Sequence, residues 1–204
     1  MLERLGVNGM KKLLAMVISL TLINSYVSAE GFNYDYIVAN AVTTSSTAID
    51  RNLGIGLSKS IHSNVALRAN VNHRQGKWVA NGSIREQTGI RLELESIYHR
   101  DIGANTDILV TLGYSYEDTK TTNISSYKLE AHAASLGIRQ SLTDTIEGEI
   151  QYALMNSESN SSIQQVYTNL MFKISSNMSI GAKYMRNMTG ADFNQTGIII
   201  RRKF

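Results

Sequence analysis

The chain has 204 residues, 43% of them hydrophobic and 18% charged, with a formal net charge of +3 and neither proline nor cysteine. No apolar run beyond the N-terminus reaches the ~20 residues of a membrane-spanning helix, so helical spanning is excluded, and a disulfide framework is excluded with it. Much of the positive charge lies in the first 29 residues: without Glu3, Arg4, Lys11 and Lys12 the net charge falls from +3 to +1, which removes the electrostatic case for nucleic-acid binding.

Residues 1–29 read as an export signal. Lys11 and Lys12 precede the mostly apolar run 13–23, and Val27, Ser28 and Ala29 supply the small-residue pattern at which a signal peptidase cuts. The mature chain is expected to span 30–204 as one domain. Met10 stands directly before the two lysines, so residues 1–9 are expected to be an over-extended start, with Met10 as the true one.

From residue 32 onward, apolar and polar side chains alternate with the period of two that marks a strand with different surroundings on its two faces. The alternation predicts ten strands, at 32–43, 49–61, 65–75, 87–99, 107–117, 127–142, 146–156, 164–175, 178–188 and 194–204. Most are near the 9–11 residues, roughly, that cross a bilayer at a tilt, and the lack of proline suits unbroken ladders. The connections at 62–64, 143–145 and 176–177 are tight, whereas odd-numbered strands are followed by longer Ser, Thr, Asn and Gly segments. The connection 100–106 is the exception, being longer than a tight turn.

One face of these strands is apolar: Leu53 and Ile55; Leu92 and Leu94; Val110 and Leu112; Ile150; Leu170 and Phe172; Ile180; Ile198 and Ile200. The opposite face carries Arg68, Arg74, Arg91, Glu93, Glu95, Glu147, Glu149, Lys173, Lys183 and Arg201. A soluble carrier barrel would have to bury those charges around an apolar ligand, at a heavy desolvation cost. The pattern instead predicts greasy staves toward lipid and an ionic lumen, the inverse of a lipocalin-like carrier.

The fold class implied is all-β: a single closed antiparallel up-and-down transmembrane β-barrel of the bacterial outer membrane. Short turns and both termini are expected on the periplasmic side. The final strand ends on Phe204, read as the signal recognised by the barrel-assembly machinery. Tyr34, Tyr36, Tyr114, Tyr116 and Tyr184 are expected to form aromatic belts at the lipid-water boundaries. In the sixth strand the apolar parity switches between Ala131 and Ala134, which requires either a bulge near Ala133 or a segment rising above the membrane.

Chemistry is hard to find. Of the four histidines, His62 falls in a turn, His73 takes the outward parity and His99 lies near a strand end, leaving His132 beside Glu130 and Ser125, too common a combination to mark a triad. No metal spacing, phosphate loop or cofactor motif occurs. Ten strands enclose little more than the side chains that fill an eight-stranded barrel, so the inward charges are expected to form a salt-bridged plug. The resulting expectation is a non-enzymatic structural or surface-interaction barrel that contacts outer-membrane lipids and lipopolysaccharide. A narrow ion or small-solute pore is the first alternative, and a lipid- or peptide-processing enzyme the second.

The opening Phe32-Asn33-Tyr34-Asp35-Tyr36, the segment Leu136-Gly137-Ile138-Arg139 and the closing Arg201-Arg202-Lys203-Phe204 resemble the small outer-membrane β-barrel proteins of xanthomonad type, once described as activators of plant immunity. The resemblance covers about residues 32–204, within the broader class of small outer-membrane barrels. It implies a ten-stranded barrel with no enzymatic residues to carry over.

Overall fold

The computed structural model describes residues 32–44, 51–80, 83–103, 105–122, 124–157, 162–189 and 194–204. The expected signal peptide with its Met10 start lies outside the described residues. Ten strands follow in chain order: β1 (Tyr36–Thr44), β2 (Arg51–His62), β3 (Val65–Ala80), β4 (Ser83–Gly103), β5 (Thr106–Thr121), β6 (Ile124–Ser141), β7 (Ile146–Ser157), β8 (Ser162–Lys173), β9 (Met178–Asn187) and β10 (Asn194–Lys203). Each pairs antiparallel with its sequence neighbours, and β1 also pairs with β10, so that Tyr36 stands opposite both Ser58 and Lys203. Closure leaves no sheet edge around the wall, which satisfies the backbone where no water is available.

The barrel has two unlike ends. At the turn end lie both ends of the barrel chain and the β2–β3, β4–β5, β6–β7 and β8–β9 connections. The tightness of these turns has local causes: Thr143 Oγ1 accepts from the backbone N–H of Thr145 (3.2 Å) and Ile146 (3.0 Å), while Leu142 N donates to Ile146 O (2.9 Å). The β4–β5 connection is shorter than expected, because β4 runs on to Gly103 and the ladder absorbs the extra residue as an irregularity between Asp101 and Gly103.

At the hairpin end, β3 and β4 stay paired up to Ala80 and Ser83, and β5 and β6 up to Thr121 and Ile124. Segments expected as loops are therefore extended hairpins. By contrast, among the described residues β2 meets β3 only as far as Gln75, and β7 meets β6 only as far as Ala131. Among the described residues, the wall from β3 to β6 rises above the rest. This explains the parity switch in β6. Its register with β5 is continuous from Gln140 to Tyr127, without a bulge at Ala133. Ala134, Leu136 and Ile138 point outward in the lower half, and the same outward row carries Glu130 and Lys128 once the strand has risen. Of the two explanations open from sequence, the protruding strand is the one found.

Candidate functional site

The outer face bears the apolar staves. Leu53, Ile55, Leu94, Val110, Leu112, Ile150, Leu170, Phe172, Ile180, Ile198 and Ile200 are all exposed there, Leu112 by as much as 62%, and Leu92 is half-buried among them. A soluble monomer rarely leaves more than a few hundred Å² of contiguous apolar surface uncovered. A belt around the whole wall needs hydrocarbon outside it.

The lumen is built in layers, beginning at the turn end. Before β1 starts, the side chains of Phe32 and Tyr34 turn inward. Tyr34 stacks on His99 with ring centroids 3.9 Å apart, and its hydroxyl donates to Asp107 Oδ2 at 2.9 Å. Burial holds the Tyr34 phenol well above its usual pKa, which keeps it a neutral donor. Ala66, Ile97 and Leu109 pack around it, with Phe32 against the same cluster. Above these rings lies Arg139, 1% exposed, its guanidinium 4.5 Å from the Phe32 centroid and 4.9 Å from that of Tyr34. Two aromatics, one cation and an apolar collar thus fill much of this mouth, beside a polar recess of about 230 Å³ that runs from Thr106, Asp107 and Lys203 in to Phe32 and Glu147.

The next layer is ionic. Glu147 accepts from Arg139 Nε and Nη2, both at 2.9 Å, and from Arg201 Nη1 at 2.6 Å. Arg201 in turn covers the Tyr36 ring at 4.7 Å, and Tyr36 packs with Val38, Met171 and Ile199. Further toward the hairpin end, Arg68 pairs with Glu95, Arg91 with Glu93, and Arg74 with Glu117. A cavity of about 150 Å³ remains among Arg68, Glu93, Glu95, Glu149, Lys183 and their neighbours.

Most of the charges expected inside are there, with one exception and two additions. Lys173 shares the inward parity but is the last residue of β8, is exposed at the rim, and donates to the Asp144 carbonyl at 2.8 Å instead of joining the network. Arg139, the most deeply buried charge of the lumen, was not among the expected residues, because the parity switch in β6 hid its facing. Glu117 was missed as well.

The aromatic belt needs a larger correction. Tyr114, Tyr116 and Tyr184 lie on the outer face toward the hairpin end, the Tyr114 hydroxyl donating to Glu130 Oε2 at 2.7 Å. Tyr34 and Tyr36 do not belong with them: they are 3% and 4% exposed, inside the barrel. Both faces of the first strand are apolar, so alternation alone could not orient it, and the guanidiniums of Arg139 and Arg201 supply the inner partners.

At the outer rim of the turn end, the buried Lys59 ammonium donates to Asp35 Oδ2 at 3.1 Å and lies 5.2 Å from the centroid of the Phe204 ring. Asp35 Oδ1 also accepts from Ser60 N, and Phe204 N donates to Asp35 O. The start and finish of the barrel chain are thereby pinned to β2. His132 faces outward beside the Tyr114 ring, 5.4 Å between centroids, and His99 is enclosed under Tyr34. Among the described residues no group of His, Cys, Asp and Glu could hold a metal.

No protein-family model matches the sequence, and no curated protein does. Solved structures do. An outer-membrane channel from Pseudomonas putida F1 superposes with a TM-score of 0.56 at 8% identity, covering 87% of this chain and 100% of that one. The NanC porin gives 0.55 at 7% identity over 82% and 100%. The translocator domain of the autotransporter NalP from Neisseria meningitidis gives 0.55 at 10% identity over 97% and 95%. At these identities the likeness is one of fold. The fold is that of the outer-membrane β-barrels, and this chain builds it with ten strands.

Proposed function

We propose that the chain is a non-enzymatic barrel of the bacterial outer membrane with a plugged lumen, serving as a structural or surface-interaction protein of the envelope. The observation that carries this reading is the layer across the lumen near the turn end, where Phe32 and Tyr34 lie under Arg139 and above them Glu147 ties Arg139 to Arg201. In this reading the short turns and both termini face the periplasm, and the β3–β4 and β5–β6 hairpins project outside. Exposed cations of the outward rows, Arg51, Lys120 and Arg186, stand where the phosphates of lipopolysaccharide would meet them. The strand ending on Phe204 is what the assembly machinery would recognise. Kinship with the xanthomonad-type barrels rests on the segments 32–36, 136–139 and 201–204.

A narrow pore is the second reading, favoured by the mid-lumen cavity. One experiment tests both. Cells expressing the chain are fractionated, and the purified protein is run unheated and heated on a gel, then added to planar bilayers. The proposal expects recovery in the outer membrane, a faster unheated band and no discrete conductance. Reproducible conductance steps from folded protein would replace the plug with the pore.

A further inference from the structure

We propose that the lumen cavity is a binding site for a small zwitterion, a molecule bearing one ammonium and one carboxylate a few bonds apart, held between Glu149 and Lys183. Arg68 and Glu95, and Arg91 and Glu93, neutralise each other across the cavity wall. Glu149 and Lys183 also line it, yet among the described residues neither has an opposite charge within ion-pair distance. The Lys183 ammonium lies 5.9 Å from the centroid of the Tyr167 ring, and a half-buried charge outside ion-pair reach of its opposite is still costly, so what fills the cavity must help to solvate one anion and one cation.

Their placement gives the shape of the missing partner. Glu149 on β7, Asn169 on β8 and Lys183 on β9 are cross-strand neighbours in one row. Adjacent strands lie roughly 4.8 Å apart, so the two charged residues start about 10 Å from each other at the backbone. Both side chains then reach inward over Asn169. Glu149 Oε1 accepts from Gln151 Nε2 at 2.9 Å and from Asn169 Nδ2 at 3.0 Å, which fixes the carboxylate while Oε2 carries no hydrogen bond among the described residues. Asn169 has spent its amide N–H on that bond. Its Oδ1 is buried and has no donor. The row therefore offers a ligand the open carboxylate oxygen of Glu149 for its ammonium and the Lys183 ammonium for its carboxylate, with Asn169 serving to fix the carboxylate.

Size agrees with this. A cavity of about 150 Å³ has room for on the order of ten water molecules or a ligand of similar atom count. The Arg139–Glu147–Arg201 layer stands between this cavity and the turn end, so the ligand enters from the hairpin end. An anion alone would meet the open oxygen of Glu149, and a cation alone would meet Lys183. Only a molecule with both charges answers both.

The test uses the full barrel folded in detergent micelles, with folding checked by gel mobility. Glycine, β-alanine and 4-aminobutyrate, which differ in charge separation, are titrated by saturation-transfer NMR, with acetate and methylammonium as half-ligands. At least one zwitterion is expected to bind saturably and at least ~10-fold more tightly than either half-ligand. Glu149→Gln and Lys183→Met should each weaken it by a similar factor. The exchanged variant, Glu149→Lys with Lys183→Glu, should bind again because both charges are restored. The proposal fails if folded protein binds no member of the series, if acetate or methylammonium binds as well as the zwitterions, or if the exchanged variant folds without recovering the ligand.

Discussion

Glu147 is the residue on which the proposed plug depends, and its removal is the sharpest perturbation of the barrel interior. The carboxylate takes three charge-assisted hydrogen bonds, two from Arg139 and one from Arg201, with both guanidiniums almost fully enclosed. Each such bond contributes about 1.5–3 kcal/mol taken alone, but desolvation of the three charges offsets much of that sum. Glu147→Ala leaves two buried cations facing one another, and its expected cost is the about 3–5 kcal/mol seen when one partner of a buried pair is removed. Glu147→Gln keeps one acceptor but likewise removes the counter-charge, so it should cost about 3 kcal/mol, the lower end of the same range. The assay is equilibrium unfolding in guanidinium from lipid vesicles, followed by the single tryptophan, Trp78, and by gel mobility. A companion triple variant, Arg139→Met, Glu147→Leu and Arg201→Met, removes every charge and should lie near wild type, since apolar replacement of a whole buried network is often neutral or stabilising. If Glu147→Ala costs less than ~1 kcal/mol, the layer is hydrated and the proposed plug is wrong.

Further perturbations probe the wall and the plug separately. Combined Phe32→Ala and Tyr34→Ala should leave the ten-stranded wall folded but admit ions, giving discrete conductance in planar bilayers where wild type gives none. Leu112→Arg places a charge on the outer face and should destabilise the protein in vesicles by about 2–4 kcal/mol, whereas the same change in a soluble barrel would be nearly silent. Gly181→Ala should lower the unfolding midpoint, because a Cβ there would stand 2.1 Å from the Leu170 carbonyl oxygen, and forced backbone shifts cost about 1–3 kcal/mol. Gly103→Ala, with nothing within 4 Å of its added carbon, is the matched control. Asp35→Ala should slow formation of the heat-modifiable band during refolding, because it releases both Lys59 and the Ser60 amide.

The wall was legible because its physics is binary. Wherever one face of a strand meets lipid and the other meets charge, as at Leu92 beside Glu93 or Ile150 beside Glu149, a two-residue period fixes the facing. Where both faces are largely apolar, as in the strand beginning at Tyr36, the period carries no orientation, and the belt expected of Tyr34 and Tyr36 lies on the wrong surface. In the upper half of β6 the outside meets water, so Lys128 and Glu130 stand in the row that lower down carries Leu136 and Ile138. The charge that mattered most, Arg139, was hidden by that switch. Pairing was beyond reach for a different reason: Arg139 and Glu147 are neighbours through one turn, but Glu147 and Arg201 lie 54 residues apart, and only closure of the barrel brings them together.

The claim beneath all of this is that adjacent residues of one strand look into two different solvents, and Thr111 and Leu112 on β5 isolate it. Thr111 is buried in the lumen and Leu112 is the most exposed of the apolar staves. Because the chain has no cysteine, Thr111→Cys and Leu112→Cys can each carry a single spin label in protein reconstituted into vesicles. Collisions with oxygen, which concentrates in hydrocarbon, and with a water-soluble nickel chelate then report the surroundings of each label. The account predicts high oxygen and low nickel accessibility at 112, with low oxygen accessibility at 111. Nickel access at 112 together with oxygen access at 111 would contradict it.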